Sequence, residues 1–246
     1  MSALFRTAVV TGASRGFGHA IAAALVAGGT HVVGIARDAQ ALQTVHDELG
    51  DAFTPLAADA TSDGLAHDVI RDHRPGLLVL NAGTTPLMAP LQEQTWETFS
   101  RNWHTDTRHV FAWTRAALLA PLAPGSAVVA VSSGAALVGS PLSGGYASAK
   151  QAIRYIRGYA ADEAQRAGLG IRFTALLPQL TPITALGTVG VAGYAARQGV
   201  DPDTFVASIQ PVLTPDQVAK AVLDIAADPD SAPEYQVGGA GLRPVG

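Results

Sequence analysis

Short β-branched runs alternate with longer amphipathic stretches along most of this chain. The runs Leu4–Val10, Thr30–Ile35, Ala52–Ala57, Leu77–Leu80, Ala127–Val131, Ile171–Leu176 and Tyr235–Val237 predict strands. Helical patterns occupy Phe17–Ala27, Ala39–Leu49, Gly64–Asp72, Thr95–Leu122, Tyr146–Ala167, Asp203–Ser208 and Pro215–Ala226. The strands are apolar on both faces, as parallel strands covered by helices on either side must be. Strand–helix alternation of this kind predicts an α/β fold, a doubly wound parallel sheet in three α/β/α layers with right-handed crossovers.

No linker, repeat or low-complexity tract interrupts the pattern, so residues 1–246 read as one domain. The least regular stretch is Pro178–Pro215, which holds Pro182, Gly187, Gly190, Gly193, Gly199, Pro202 and Pro211. It predicts a loop-rich insertion over about 178–215 that serves as a lid.

Composition narrows the function classes. With 48% hydrophobic and 15% charged residues, the chain has material for a large core and is not disordered. A net charge of −4 gives no basis for binding nucleic acid or an anionic membrane. The absence of cysteine excludes disulfides and thiolate zinc sites. Met1–Arg6 lacks the charged region and cleavage site of a secretory leader, and no segment reaches the ~18–20 apolar residues of a membrane span. A cytoplasmic protein is the expectation. Seven histidines raise the question of a metal. His104 and His109 are five apart and His67 and His73 six apart, so neither pair shares a helical face, and no metal is expected.

The strongest chemical signal is Tyr146-Ala-Ser-Ala-Lys150, with Ser133 thirteen residues upstream. A tyrosine and a lysine four apart on a helix lie one turn from each other. The ammonium then favours phenolate, and the expectation is a tyrosine whose pKa falls from about 10 toward neutrality. A serine hydroxyl at the same place holds a carbonyl oxygen in reach. The chain has five tyrosines and only two lysines, Lys150 and Lys220, so chance supplies roughly 0.04 such pairs. This is equipment for interconverting an alcohol and a ketone.

A nucleotide site is written at the first strand's end, in Thr11-Gly12-Ala13-Ser14-Arg15-Gly16-Phe17-Gly18. Glycines let backbone approach a pyrophosphate, and the helix that follows offers amide donors and a positive dipole end. After the second strand come Ala36, Arg37 and then Asp38. A carboxylate at this tip reads the ribose 2′-hydroxyl of NAD(H), whereas arginine accommodates the 2′-phosphate of NADP(H). Arg37, with Arg15 from the glycine loop, favours NADP(H); NAD(H) is not excluded, because Asp38 is the next residue. Asp59, after the third strand, is placed to accept from the adenine amino group. Asn81-Ala82-Gly83, after the fourth, leaves room for the cofactor.

Taken together these residues resemble the short-chain dehydrogenase/reductase family, over most of the chain. The resemblance rests on Thr11-Gly12-x-x-x-Gly16-x-Gly18, Asp59, Asn81-Ala82-Gly83, Ser133 and Tyr146-x-x-x-Lys150 in order. It implies a Rossmann-type fold and NAD(P)(H)-dependent oxidation or reduction of alcohol/carbonyl substrates. It further implies that Tyr146 is the general acid/base, that Ser133 orients the carbonyl, and that Lys150 binds the nicotinamide ribose and lowers the tyrosine pKa. A homodimer or homotetramer built on the two long helices, Arg101–Leu122 and Tyr146–Ala167, is implied as well. Trp103, Val110, Phe111 and Trp113 on the first of these serve either that interface or the core.

Two departures qualify it. The family places a fourth catalytic residue, an asparagine, where this chain has Asp106; a carboxylate close to Lys150 would hold its ammonium and weaken its help to Tyr146. After the sixth strand the family has Pro-Gly and then a threonine for the nicotinamide carboxamide. This chain reads Pro178-Gln179-Leu180-Thr181-Pro182-Ile183-Thr184, with Thr181 favoured over Thr184 for that role. The expected substrate is apolar or mixed, since Leu137, Val138, Leu142 and the stretch Leu186–Tyr194 carry no arginine cluster. The rival reading is a non-catalytic NADP(H)-binding sensor or scaffold on the same fold, with Asp106 marking decayed catalysis. An epimerase or dehydratase on an extended version of the fold is disfavoured by the chain's modest length.

Overall fold

A computed structural model describes residues 4–245, so Met1–Ala3 of the segment used in the leader expectation lie outside the described residues. The chain runs β1 (Thr7–Thr11), α1 (Gly16–Ala27), β2 (His31–Ala36), α2 (Ala39–Leu49), β3 (Phe53–Ala57), α3 (Leu65–His73) and β4 (Leu77–Leu80). It continues through α4 (Trp96–Asn102), a π-helical turn (Trp103–Thr107), α5 (Arg108–Leu119), β5 (Ala127–Val131), α6 (Ala135–Val138), α7 (Gly144–Arg166) and β6 (Arg172–Pro178). It closes with α8 (Ala185–Gln198), α9 (Pro202–Ser208), α10 (Pro215–Ala227), β7 (Glu234–Gly238) and β8 (Gly241–Pro244). The sheet order is β3-β2-β1-β4-β5-β6-β7-β8, parallel as far as β7. Only β8 joins antiparallel. The order reverses between β1 and β4, the switch point at which a doubly wound sheet opens a crevice for a ligand.

Side-chain alternation along each strand explains why both faces are covered. Val10, Val79 and Val129 point to one face and pack with Ile21 and Leu25 of α1 and Val218 and Val222 of α10. Their neighbours Val9, Leu78 and Val128 point to the other, against Val69 of α3, Trp113 of α5 and Ile153 of α7. At the far edge, Glu234 of β7 accepts from Arg154 Nε at 2.9 Å and Arg157 Nη2 at 3.1 Å, tying that strand to α7.

Three expectations need correction. The stretch Thr95–Leu122 is not continuous α-helix: the π-helical turn separates α4 from α5, and α5 stops at Leu119. The extra backbone residue turns Asp106 inward, in line with Asn102 above it and His109, Val110 and Trp113 below; all five are buried. The stretch from Pro178 to Pro215 is mostly helical, not loop. Its glycines serve packing: a Cβ at Gly190 would lie 3.0 Å from Leu180 Cδ1, and one at Gly193 3.0 Å from Met88 Cε. Lastly, β8 was not foreseen, because Gly-Leu-Arg-Pro has neither the length nor the apolar content that announces a strand.

Trp113 is fully buried and donates its indole N–H to Ala60 O at 2.9 Å, fixing the loop that follows β3. Trp113→Ala should therefore cost about 3–5 kcal/mol of stability, measured by urea unfolding. His109 meets the edge of that indole. Burial, then the Lys150 charge, pull its pKa from 6.5 down to about 3, against weaker support from Ala82 and Asp59. Between those values the unfolded chain binds a proton that the folded chain refuses, so stability should fall as pH drops from about 6.5 toward 3. The slope should approach ~1.4 kcal/mol per pH unit from this residue. His109→Gln should flatten it; equal slopes for the two proteins would refute the assignment.

Candidate active site at the carboxyl ends of the strands

The carboxyl ends of β1, β2, β4, β5 and β6 open into one cleft of about 1010 Å³. Its floor at one end is the glycine loop. Gly12 and Gly16 hold positive φ of 69° and 57°, a conformation that side chains resist. Ser14, Arg15 and Phe17 line the cleft with them, and Gly18 is buried in the first turn of α1 against the Gly12 carbonyl. No side chain caps α1, and no acidic residue stands in its first turn. Amide donors at the head of this helix are thus left facing the cleft, a donor set that fits an anionic pyrophosphate.

Asn81 is a brace. Its backbone N–H donates to Thr11 Oγ1 at 2.9 Å and its Nδ2 to Thr11 O at 3.1 Å, while Ala82 N–H donates to the same hydroxyl at 3.1 Å. The ends of β1 and β4 are held at fixed separation, and Asn81, Ala82 and Gly83 line the wall between them. At the tip of β2, Arg37 is exposed on the cleft, whereas Asp38 caps α2, its Oδ1 accepting from Ala41 N–H at 3.0 Å. Asp59 accepts from Thr61 N–H and Oγ1, both at 2.8 Å and both on Oδ1. Those bonds hold its pKa below the usual carboxylate value, and Asp59 lines the cleft with Arg37.

At the other end Ser133, Tyr146 and Lys150 come together. Lys150 is buried: its ammonium donates to Val131 O at 3.2 Å, stands 3.2 Å from Asp106 Oδ2, and lies 5.6 Å from the centre of the Tyr146 ring. Asp106 Oδ1 accepts from Thr84 N–H at 2.9 Å. The approach of Lys150 to Oδ2 is close enough for an ion pair but off a hydrogen-bond angle, so Oδ2 keeps an unfilled acceptor site. Gly83 packs against this carboxylate; a Cβ there would stand 2.9 Å from Oδ2.

The electrostatics correct one expectation. Tyr146 is not lowered toward neutrality. Burial of its hydroxyl end raises its pKa, and the opposing pull of Lys150 and Ser133 does not cancel that, with Asp106 adding to the rise. For Lys150 the balance runs the other way: burial lowers its pKa, but Asp106 and Tyr146 together outweigh it and the net shift is upward. The pair is an ammonium held firmly by a carboxylate, next to a phenol held protonated.

Thr181, expected at the nicotinamide carboxamide, is partly engaged within the fold. It lines the cleft, but its hydroxyl is committed to Leu213 O at 2.5 Å and accepts from Ile183 N–H at 3.3 Å. Thr184 caps α8 by accepting from Gly187 N–H at 3.1 Å, and keeps its own proton. Pro178, expected at the cofactor, lines the wall, and so does Gln179. Of the apolar residues expected around the substrate, Val138 stands at the mouth, 88% exposed, and Leu186 lines the cleft; Leu137 and Leu142 do not. His109 and Ser143 were missed as cleft residues, whereas Tyr194 closes the stretch expected around the substrate. Both ring nitrogens of His109 lack a hydrogen-bond partner among the described residues. The signal was present, since His109 follows Asp106 by three positions and shares its helix face.

The short chain dehydrogenase family model matches residues 6–189. An uncharacterized short-chain type dehydrogenase/reductase of Sinorhizobium fredii is 31% identical over 88% of this chain and 39% of its own length. A probable NADP-dependent dehydrogenase of Haemophilus influenzae is 32% identical over 46% of each chain. The chain thus spans less than half the length of these two relatives. Among solved structures, a 3-ketoacyl-(acyl-carrier-protein) reductase from Brucella melitensis, complexed with NADH, superposes with a TM-score of 0.79 at 25% identity, covering 95% of this chain and 97% of that one. Fold, strand-end cleft and family match agree, and the chain belongs to the short-chain dehydrogenase/reductase family.

Proposed function

We propose that this chain is an NADP(H)-dependent oxidoreductase that interconverts an alcohol and a carbonyl compound, with Tyr146 as general acid/base. The observation that carries the reading is the meeting of Ser133, Tyr146 and Lys150 at one end of a cleft whose other end is an uncapped helix head. The bound cofactor supplies or takes the hydride at its nicotinamide C4. During reduction, the carbonyl π pair moves to oxygen as hydride reaches carbon. Tyr146 then transfers its proton to that oxygen, and Ser133 donates a hydrogen bond to the developing charge. Lys150 stabilises the phenolate left behind and offers a proton toward the ribose.

NADP(H) is favoured because Arg37 and Arg15 flank the place for a 2′-phosphate while Asp38 is occupied as a cap. The NADP-dependent relative is consistent with that choice. The region about 178–215 is read as a lid, carried by α8 and α9. Association through α4, α5 and α7 into a dimer or tetramer is supported by their exposed apolar groups. Phe111, Leu119, Tyr155 and Tyr159 are each more than half exposed, whereas Val110 and Trp113 belong to the core. No helix among the described residues is long and apolar enough to cross a membrane.

Cofactor oxidation across a panel of ketones and aldehydes tests the reading. NADPH should be preferred, and Arg37→Ala should lower kcat/KM for NADPH by roughly tenfold to a hundredfold while sparing NADH. Tyr146→Phe should lower turnover at least ~100-fold with NADPH binding intact; full turnover would refute the mechanism. Asp106→Asn should move the pH profile of alcohol oxidation to lower pH, because the Lys150 charge then acts on Tyr146 without opposition. Asp106→Ala leaves a buried ammonium unpaired and should cost about 3–5 kcal/mol of stability.

A further inference from the structure

The lid has its own small core. Val191, Ala195 and Phe205 pack together, with Leu180, Tyr194 and Val206 around them, separate from the two layers beside the sheet. Tyr194 stacks on Phe205, ring centres 6.1 Å apart and planes 15° from parallel. Its hydroxyl leaves this cluster and hydrogen-bonds Ser140 Oγ, in the segment between α6 and α7. Ser140 Oγ also meets Ser143 Oγ at 2.7 Å and accepts from Ser143 N–H at 3.0 Å. Ser143 and Tyr194 both line the cleft; Ser140 does not.

A count of protons gives this cluster a purpose. A hydroxyl carries one proton and two lone pairs. Ser140 Oγ spends one lone pair on Ser143 N–H, so one lone pair and its proton remain for two hydroxyl neighbours. One neighbour must donate to Ser140 and the other must accept from it. The acceptor keeps its own O–H, and neither Ser143 Oγ nor Tyr194 OH has another hydrogen-bond partner among the described residues. Whichever way the chain of bonds runs, one O–H donor is left over on a residue that faces the cleft. Ser143 is buried and Tyr194 half-buried, and the cleft that both line is where a partner for that donor would lie.

We infer that Ser140, Ser143 and Tyr194 form a polar subsite that donates a hydrogen bond to a second oxygen of the substrate. Ser143 stands three residues before Tyr146, at the N-cap of α7, and both line the cleft. The substrate class is a carbonyl compound with a further acceptor oxygen near the reacting one. This deepens the reductase reading and rests on it. Because the donor bridges lid and body, the same oxygen also favours the closed lid. The roles are those of specificity and positioning; the proton transfer stays with Tyr146.

The test compares ethyl 3-oxobutanoate with 2-heptanone, which has the same chain length without the second carbonyl. The readout is the ratio of their kcat/KM values with NADPH, in the wild type and in the Ser143→Ala/Tyr194→Phe double variant. Phenylalanine keeps the stack on Phe205. The ratio should fall about fivefold to tenfold in the double variant, the value of a hydrogen bond to a neutral acceptor. Phe205→Leu, which loosens the lid but keeps every hydroxyl, should lower both substrates together and preserve the ratio. A ratio within twofold of wild type in the double variant, or equal losses for both substrates, overturns the subsite while leaving the reductase reading in place. A wild type that turns over neither ketone overturns both.

Discussion

A buried carboxylate and a buried ammonium face each other at 3.2 Å, and much of the site is organised around them. Burying Lys150 alone would cost several kcal/mol, more than the helix around it returns. Asp106 makes that burial tolerable, and Val131 O takes a second ammonium proton. The arrangement demands that three elements converge: α7 for the lysine, β5 for the carbonyl and the π-helical turn for the aspartate. Side-chain hydrogen bonds secure them. Ser132 Oγ donates to Lys150 O at 2.7 Å, Thr107 Oγ1 to Ala149 O at 3.2 Å, and Trp103 Nε1 to Ser148 Oγ at 3.0 Å.

The pair has an electrostatic consequence one turn away. A lone ammonium beside Tyr146 would favour phenolate; a paired one presents a dipole, whose field falls off faster and partly reverses toward the carboxylate. Burial then decides the direction for the phenol. The same cleft wall carries His109, neutral at ordinary pH and short of partners on both nitrogens, so the neighbourhood of Lys150 holds one strong ion pair and little else that is charged.

Much of this was legible in the sequence, for identifiable reasons. Ala39–Leu49, Leu77–Leu80 and Ala127–Val131 fall where their patterns put them, because each is bounded by turn residues and has one unambiguous period. The glycine loop, Asn81 and the Tyr146/Lys150 pair were readable because each needs particular residue types at fixed spacing. The π-helical turn was not, since one inserted residue changes which side chains point inward without changing composition. Nor was the helical lid: the glycines that read as loop are the small surfaces by which α8 approaches Leu180 and Met88. Thr181's place at the cleft was readable from its position, but the carbonyl its hydroxyl donates to, Leu213 O from 32 residues on, was not.

The hydroxyl cluster illustrates a limit of the same kind, and why it is informative. Ser140, Ser143 and Tyr194 are unremarkable residues in sequence, the last separated from the others by all of α7 and β6. Only the fold brings them together, and only then does a surplus proton exist to be explained. Buried polar groups are nearly always paired. A surplus donor at a cleft wall is therefore a statement about what the cleft expects to receive, in the same sense that an uncapped helix head at its other end expects an anion. Both ends are incomplete in chemically specific ways, and the two deficits are complementary to the two halves of a reaction: a phosphate-bearing cofactor at one, an oxygen-bearing carbonyl compound at the other.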